Sequence, residues 1–143
     1  MASGAIPSYG TLLKRETSFG SGTFVTVAEV KSMDGPGMKA SQIDVTTHSS
    51  AASGAWKEMI VSLLDPGDVK FTINLIPASA GHKSLISDFT GRTKTNYQMV
   101  FPDGGSTTWA FTGYCIDFGA KAATDGVLEA TMTVTLTGAP TFP

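Results

Sequence analysis

The chain has 143 residues, of which 41% are hydrophobic and only 15% charged, and its net charge is −2. This length fits one domain with a substantial core, and the weak negative charge without clustered Lys or Arg excludes stable nucleic-acid binding through phosphate neutralisation. The single cysteine, Cys115, excludes an intrachain disulfide and a multi-cysteine zinc site.

Sparse charge leaves much neutral polar surface, which is typical of chains covered by copies of themselves and also of ordinary Thr-rich β-sandwiches. No apolar run approaches the length of a membrane span, and residues 1–7 lack the charged and apolar segments of a signal peptide. We therefore expect no membrane association, and a protein that is made and kept in a cytoplasm until assembly.

The first half of the chain predicts an arm followed by short strands. Residues 1–10 are mostly Gly, Ser, Ala and Pro and predict a flexible arm. Strands are predicted over 11–16, 23–30 and 43–47, and the glycines and proline of 33–37 are expected to end the second of them. A loop of small residues follows at 49–55.

The segment from Trp56 to Leu64 fits both a helical face and an alternating strand, and we favour an irregular or short extended segment. The turn residues Asp65-Pro66-Gly67-Asp68 follow at once. The next strand is the clearest in the chain: Val69, Phe71, Ile73 and Leu75 alternate with Asp68, Lys70, Thr72 and Asn74. This period of two predicts a strand with one buried face.

One amphipathic helix is predicted from Ala80 to Thr90. Ser79 suits the N-cap and Gly91 the C′ position. The apolar face is predicted from the i, i+3, i+4, i+7 spacing of His82, Leu85, Ile86 and Phe89.

Three strands follow the helix, and together with the earlier elements they decide the fold class. They are predicted around 96–101, 107–118 and 127–137, and the Pro-rich segment from Gly138 to Pro143 is expected not to continue the sheet. We predict a mainly β fold, an antiparallel β-sandwich or half-barrel with one flanking α-helix. It forms a single domain over residues 1–143, with a flexible arm at 1–10 and a short C-terminal tail at 138–143.

Candidate catalytic and metal-binding residues are few. His48 and His82 belong to no metal-binding pattern, and Asp65 and Asp68 are typical turn formers. Trp56 could stack on a sugar, but an interface or core role is favoured. We expect no enzyme activity, no cofactor and no metal, which leaves a self-associating β protein.

The order of several short segments resembles the tail tube (major tail) proteins of long-tailed, non-contractile bacteriophages, which are related to tube proteins of type VI secretion. The resemblance covers about residue 20 to the end and rests on Asp44-Val45-Thr46-Thr47-His48, Trp56-Lys57-Glu58-Met59-Ile60, Leu64–Asn74, Phe101-Pro102-Asp103-Gly104, Trp109–Tyr114 and Thr137-Gly138-Ala139-Pro140. The additional immunoglobulin-like C-terminal domain of some members has no counterpart in these residues.

The resemblance implies a structural protein of the virion tail, assembled in the host cytoplasm. Six copies would form a ring, and stacked rings would form a hollow tube through which DNA passes without specific binding. Partners would be a tail terminator, a tape measure protein and baseplate or tail-tip proteins.

The resemblance also assigns candidate contact and lumen residues. The loop between rings would comprise Ser49, Ser50, Ala51, Ala52, Ser53, Gly54, Ala55 and Trp56. The polar strand face with Asp68, Lys70, Thr72 and Asn74 would be a candidate for the lumen.

Two alternatives stay open. One is the tube protein of a type VI-like injection system, and the other is a β-sandwich carbohydrate-binding module that uses Trp56 or Trp109.

Overall fold

The computed structural model describes residues 2–49 and 54–143. Within these ranges the chain forms nine strands and one helix, which confirms the mainly β fold class with one helix. The elements are β1 (Leu12–Glu16), β2 (Phe24–Thr26), β3 (Val30–Asp34), β4 (Lys39–Asp44), β5 (Met59–Asp65), β6 (Asp68–Asn74), α1 (Ala80–Thr90), β7 (Lys94–Val100), β8 (Thr108–Lys121) and β9 (Glu129–Leu136).

Seven strands form one antiparallel sheet in the order β2-β1-β7-β8-β9-β6-β3, and β4 pairs with β5 in a separate two-stranded sheet. Strands β2 and β3 lie at opposite edges of the large sheet, although only residues 27–29 connect them. Four peptide units reach about 13 Å at most. The sheet must therefore curl until its two edges approach each other, which gives a nearly closed half-barrel.

Backbone hydrogen bonds tie the connection to β1 and β6, the strands next to the two edges of the sheet. Val27 N–H donates to the Leu13 carbonyl, and Asn74 N–H donates to the Glu29 carbonyl. The prediction of one strand over 23–30 is wrong here, because Glu29 adopts a left-handed conformation with φ of 63° and separates β2 from β3.

The boundaries of the next two strands also differ from prediction. Strand β3 continues through Met33 and Asp34, and the chain turns at Gly35-Pro36-Gly37. Gly35 has φ of +112°, and a Cβ there would lie 2.5 Å from the Asp68 carbonyl oxygen, so only glycine fits. Strand β4 begins at Lys39, before the predicted start at Ile43, because pairing with β5 outweighs the weak strand propensity of residues 39–41.

The core lies on the concave face of the curled sheet. The alternation predicted for β6 is confirmed, since Val69, Phe71 and Ile73 are buried. Cys115 is buried there as well, and burial raises the pKa of its thiol to about 11. The other buried apolar side chains are Leu13, Val27, Leu85, Tyr97, Met99, Phe111, Ala130, Met132, Val134 and Leu136.

The helix α1 spans the predicted residues, but its ends differ from prediction. Ser79 occupies the N-cap position without a side-chain capping hydrogen bond. Gly91 is right-handed, and the following Arg92 takes the positive φ instead. The Gly91 N–H donates to the Ser87 carbonyl, which closes the last turn without a left-handed glycine.

The buried face of α1 also differs from the predicted one. His82 and Leu85 are buried, whereas Ile86 and Phe89 are about two-fifths exposed. His82 is held from both sides of its ring, because Nδ1 accepts the Ile76 N–H at 3.0 Å and Nε2 lies 2.9 Å from the Ala28 carbonyl oxygen. This pattern fixes the tautomer with hydrogen on Nε2.

Asp88 turns inward from α1 and forms a buried polar cluster with the sheet. Its carboxylate accepts hydrogen bonds from Arg15 Nε at 2.6 Å, from Arg15 Nη2 at 2.5 Å and from the Tyr97 hydroxyl at 3.2 Å. The hydrogen bonds that Arg15 donates to Asp88 raise the pKa of Arg15, and burial raises the pKa of Tyr97 above its usual range. The cluster fixes α1 on the concave side of the sheet.

The C-terminal tail continues the ladder beside β8, contrary to the expectation that its prolines would end the sheet. Residues 138–140 form a bulge after the bond from Thr137 N–H to the Thr112 carbonyl, and Thr141 then pairs with Ala110 through two backbone bonds of 2.7 and 3.0 Å. Pro140 lies in the bulge, where no ladder N–H is needed. The ring of Phe142 packs edge-on against Trp109 at 4.9 Å, and Trp109 packs against Phe101 at the same distance.

Candidate inter-subunit surface

Strands β4 and β5 form a hairpin, residues 39–65, that belongs to no larger sheet. Ladder pairing runs from Lys39↔Asp65 to Asp44↔Met59, and Val45 N–H extends it by donating to the Glu58 carbonyl. Every residue of both strands is exposed. An isolated two-stranded ribbon is only marginally stable in water, so this hairpin lacks the packing that would hold it rigid.

Both faces of the hairpin are apolar. Ile60 pairs with Ile43 on one face of the ribbon. Met59, Val61 and Leu64 lie on the opposite face, because a β-bulge between Val61 and Leu64 shifts the alternation of β5. Leu63 and Leu64 are each 77% exposed. Large contiguous apolar patches on a soluble chain mark interaction sites. A ribbon that is apolar on both sides is suited to lie between two neighbours.

The accessible surface of the whole chain supports the same conclusion. It measures 9172 Å² for a mass of 14.9 kDa. A compact monomer of this mass exposes about 7,000 Å². The excess of roughly 2,000 Å² is large, because a standard interface removes about 800 Å² from each partner.

The loop predicted to contact other copies lies at the end of this hairpin. Ser50, Ala51, Ala52 and Ser53 lie outside the described residues. Ser49, Gly54 and Ala55 are exposed, and Trp56 is 76% exposed. Hydrogen bonds of Thr46 fasten the base of the loop: its hydroxyl accepts the Glu58 N–H at 2.8 Å, and its N–H donates to Asp44 Oδ1 at 2.9 Å.

The predicted polar face of β6 belongs to a larger polar surface on the convex side of the curled sheet. Asp68 and Lys70 are exposed, and Thr72 and Asn74 are half-buried. Cross-strand neighbours on this face include Thr131, Thr135 and Glu129 of β9 and Ser32 and Asp34 of β3. The surface is rich in neutral hydroxyl groups, and its charges have both signs.

Residues considered for chemistry do not form a reactive site in the described part of the chain. No group of three or more His, Cys, Asp or Glu side chains placed for metal binding occurs there. His48 is exposed, and Asp65 Oδ1 accepts the Gly67 N–H at 2.9 Å as a turn former does. Trp109 is half-buried and packs edge-on with Phe101 and Phe142.

None of the helices in the described ranges has the length and apolar character needed to cross a membrane.

Sequence reasoning assigned the inter-subunit contact to the loop and did not single out the exposed apolar strands beside it. The signal was present in Met59-Ile60-Val61-Ser62-Leu63-Leu64, where apolar residues do not alternate with polar ones. A short continuous apolar run is typical of a strand covered on both faces. In the described part of this chain, both faces of the strand stay exposed.

A tail tube family matches nearly the whole chain. The family model described as lambda phage tail tube protein matches residues 10–143. No curated protein matches the chain at a significant level.

Solved structures with the same fold come from tail and injection tubes. The tail of an empty gene transfer agent particle, refined with C6 symmetry, is 18% identical, with a TM-score of 0.75 over 92% of this chain and 95% of that one. A chain of the native gene transfer agent virion is 16% identical, with a TM-score of 0.78 over 97% and 99%. The SPP1 tail tube is 9% identical, with a TM-score of 0.70 over 96% and 80%.

The family match extends over the curled sheet, the helix α1 and the exposed hairpin. By this match, the chain belongs to the lambda phage tail tube protein family.

Proposed function

We propose that the chain is the repeating subunit of a hollow virion tail tube, in which six copies close into a ring and the rings stack. The observation that carries this proposal is the exposed hairpin with two apolar faces, together with the excess surface of the single chain. A head-to-tail contact that closes makes a ring, and each subunit then covers the hairpin of its neighbour. The C6 symmetry of the gene transfer agent tail supports six copies.

The role is structural, without catalysis or a cofactor. The tube would form in the host cytoplasm and then belong to the virion. Its ends would meet a tail terminator and a baseplate or tail tip, and a tape measure protein would occupy the growing tube. Solved structures from contractile injection systems share the fold, which supports assembly through the same kind of ring contact.

The polar convex face around β6 is the candidate for the lumen. Asp68 and Lys70 lie on it, and the remaining groups are mostly Thr hydroxyls. Such a surface neutralises few phosphates, so DNA would slide along it without being retained. A helical reconstruction that places β6 on the outside of the tube would contradict this assignment.

The loop from Ser49 to Trp56 is proposed to contact the next ring. It extends from the end of the hairpin, and Trp56 supplies a large apolar anchor. Ordering so many small residues costs conformational entropy, which a contact with a neighbour would offset.

Negative-stain microscopy of concentrated purified protein tests the proposed function and the role of the loop together. The wild type is expected to form hollow tubes with stacked rings. A variant lacking residues 49–55 is expected to keep its fold by circular dichroism and to form at most single rings. A wild type that stays monomeric at every concentration would contradict the function, and full-length tubes from the deletion variant would contradict the role of the loop.

A further inference from the structure

A second apolar feature lies at the base of the hairpin, away from its tip. A groove of about 630 Å³ opens between the hairpin and the C-terminal tail. Its apolar lining comes from Met38, Ala40, Leu64, Pro66, Ala139, Pro140 and Phe142. The two charged residues in the lining, Lys39 and Asp65, stand opposite each other in the ladder and have opposite signs, so the groove is neutral.

The N-terminal arm is the segment of the chain with matching chemistry. It carries no charged side chain before Lys14. Its large apolar groups point into solvent, since Ile6 is 54% exposed and Tyr9 is 93% exposed. An uncharged arm with an aromatic anchor suits a neutral apolar groove, because neither surface has to give up a solvated charge on contact.

The arm leaves the sheet at the same end as the groove. A Cβ on Gly10 would lie 3.3 Å from the Cβ of Pro102, next to Phe101. Phe101, Trp109 and Phe142 then form a row of edge-on aromatic contacts that ends in the groove. Residues 2–9 reach about 26 Å when extended. The arm nevertheless lies outside the groove of its own chain, with Tyr9 exposed.

We propose that the groove binds the N-terminal arm of a second copy of the chain, with Tyr9 or Ile6 as the buried anchor. The inference rests on the proposed tube, because the tube supplies a second copy beside the hairpin. The groove is continuous with that hairpin through Ala40 and Leu64. The arm would thus link neighbouring subunits at a place separate from the loop of residues 49–56.

A disulfide trap tests this proposal in assembled tubes. Ser8→Cys next to the anchor is combined with Ala139→Cys in the groove, and the tubes are oxidised and analysed under non-reducing denaturing conditions. The native Cys115 does not compete, because it is buried and its pKa is raised to about 11. The matched control pairs Ser8→Cys with Ala123→Cys, an exposed residue in the turn between β8 and β9.

A ladder of dimers and higher multimers is expected for the Ala139 pair and not for the Ala123 pair. Tubes that give no ladder, an intrachain disulfide alone, or equal ladders for both pairs would overturn the inference and leave the proposed function standing. A chain that forms no tubes, with or without the cysteines, would overturn the proposed function and the inference with it.

Discussion

Replacing Leu63 with Asp is expected to abolish tube assembly and leave the subunit folded. The side chain is 77% exposed in the single chain, so its loss should change the free energy of unfolding by no more than about 0.5 kcal/mol. In the tube, a carboxylate would be buried against the apolar surface of a neighbour without a partner. A penalty of about 3 kcal/mol per subunit would raise the concentration needed for assembly roughly a hundredfold.

Leu63→Met is the matched control, because it keeps an apolar side chain of similar volume. Assembly is measured by light scattering over a range of protein concentrations, and folding by thermal denaturation. Equal assembly of the Asp and Met variants would show that this face of the hairpin stays in solvent.

Asp88→Ala is expected to give the largest loss of stability among single substitutions in the polar cluster. It removes the acceptor of two Arg15 bonds and of the Tyr97 hydroxyl, and leaves a largely buried guanidinium without its charge partner. Removing one partner of a buried ion pair lowers the free energy of unfolding by about 3–5 kcal/mol. Urea denaturation monitored by circular dichroism measures the change in the free energy of unfolding.

Asp88→Asn keeps one acceptor oxygen and should therefore lose less stability than Asp88→Ala. The double variant Arg15→Met with Asp88→Leu removes both charges and should be more stable than Asp88→Ala alone. If all three variants have the same stability as the wild type, the cluster does not hold the helix on the sheet.

Patterns within short segments of the sequence correctly predicted the strand and the helix whose conformation depends mainly on neighbouring residues. The alternation over Asp68–Leu75 predicted β6, and the apolar spacing from His82 predicted a helix with the observed bounds. The inward side of that helix was misplaced, because Asp88 is drawn inward by Arg15, a residue 73 positions earlier in the chain. The 3.6-residue spacing of apolar residues along a helix does not reveal an ion pair with a residue far away in the sequence.

Two further errors have the same origin in tertiary contacts. The break at Glu29 depends on hydrogen bonds to Asn74, and the ordered tail depends on pairing between Thr141 and Ala110. Neither partner can be recognised from the segment itself. The apolar run at Met59–Leu64 was seen but not interpreted as a surface, because only the structure shows that the run is exposed among the described residues.

Amide hydrogen exchange of Met59–Leu64 and residues 39–44, compared between free subunits and assembled tubes, tests the central claim most directly. In the free subunit these strands belong to an isolated ribbon and should exchange quickly. Burial between neighbours should slow their exchange by at least about a hundredfold, while the amides of β8 and β9 change little. Unchanged exchange of the hairpin in intact tubes would contradict its assignment as the surface that holds the copies together.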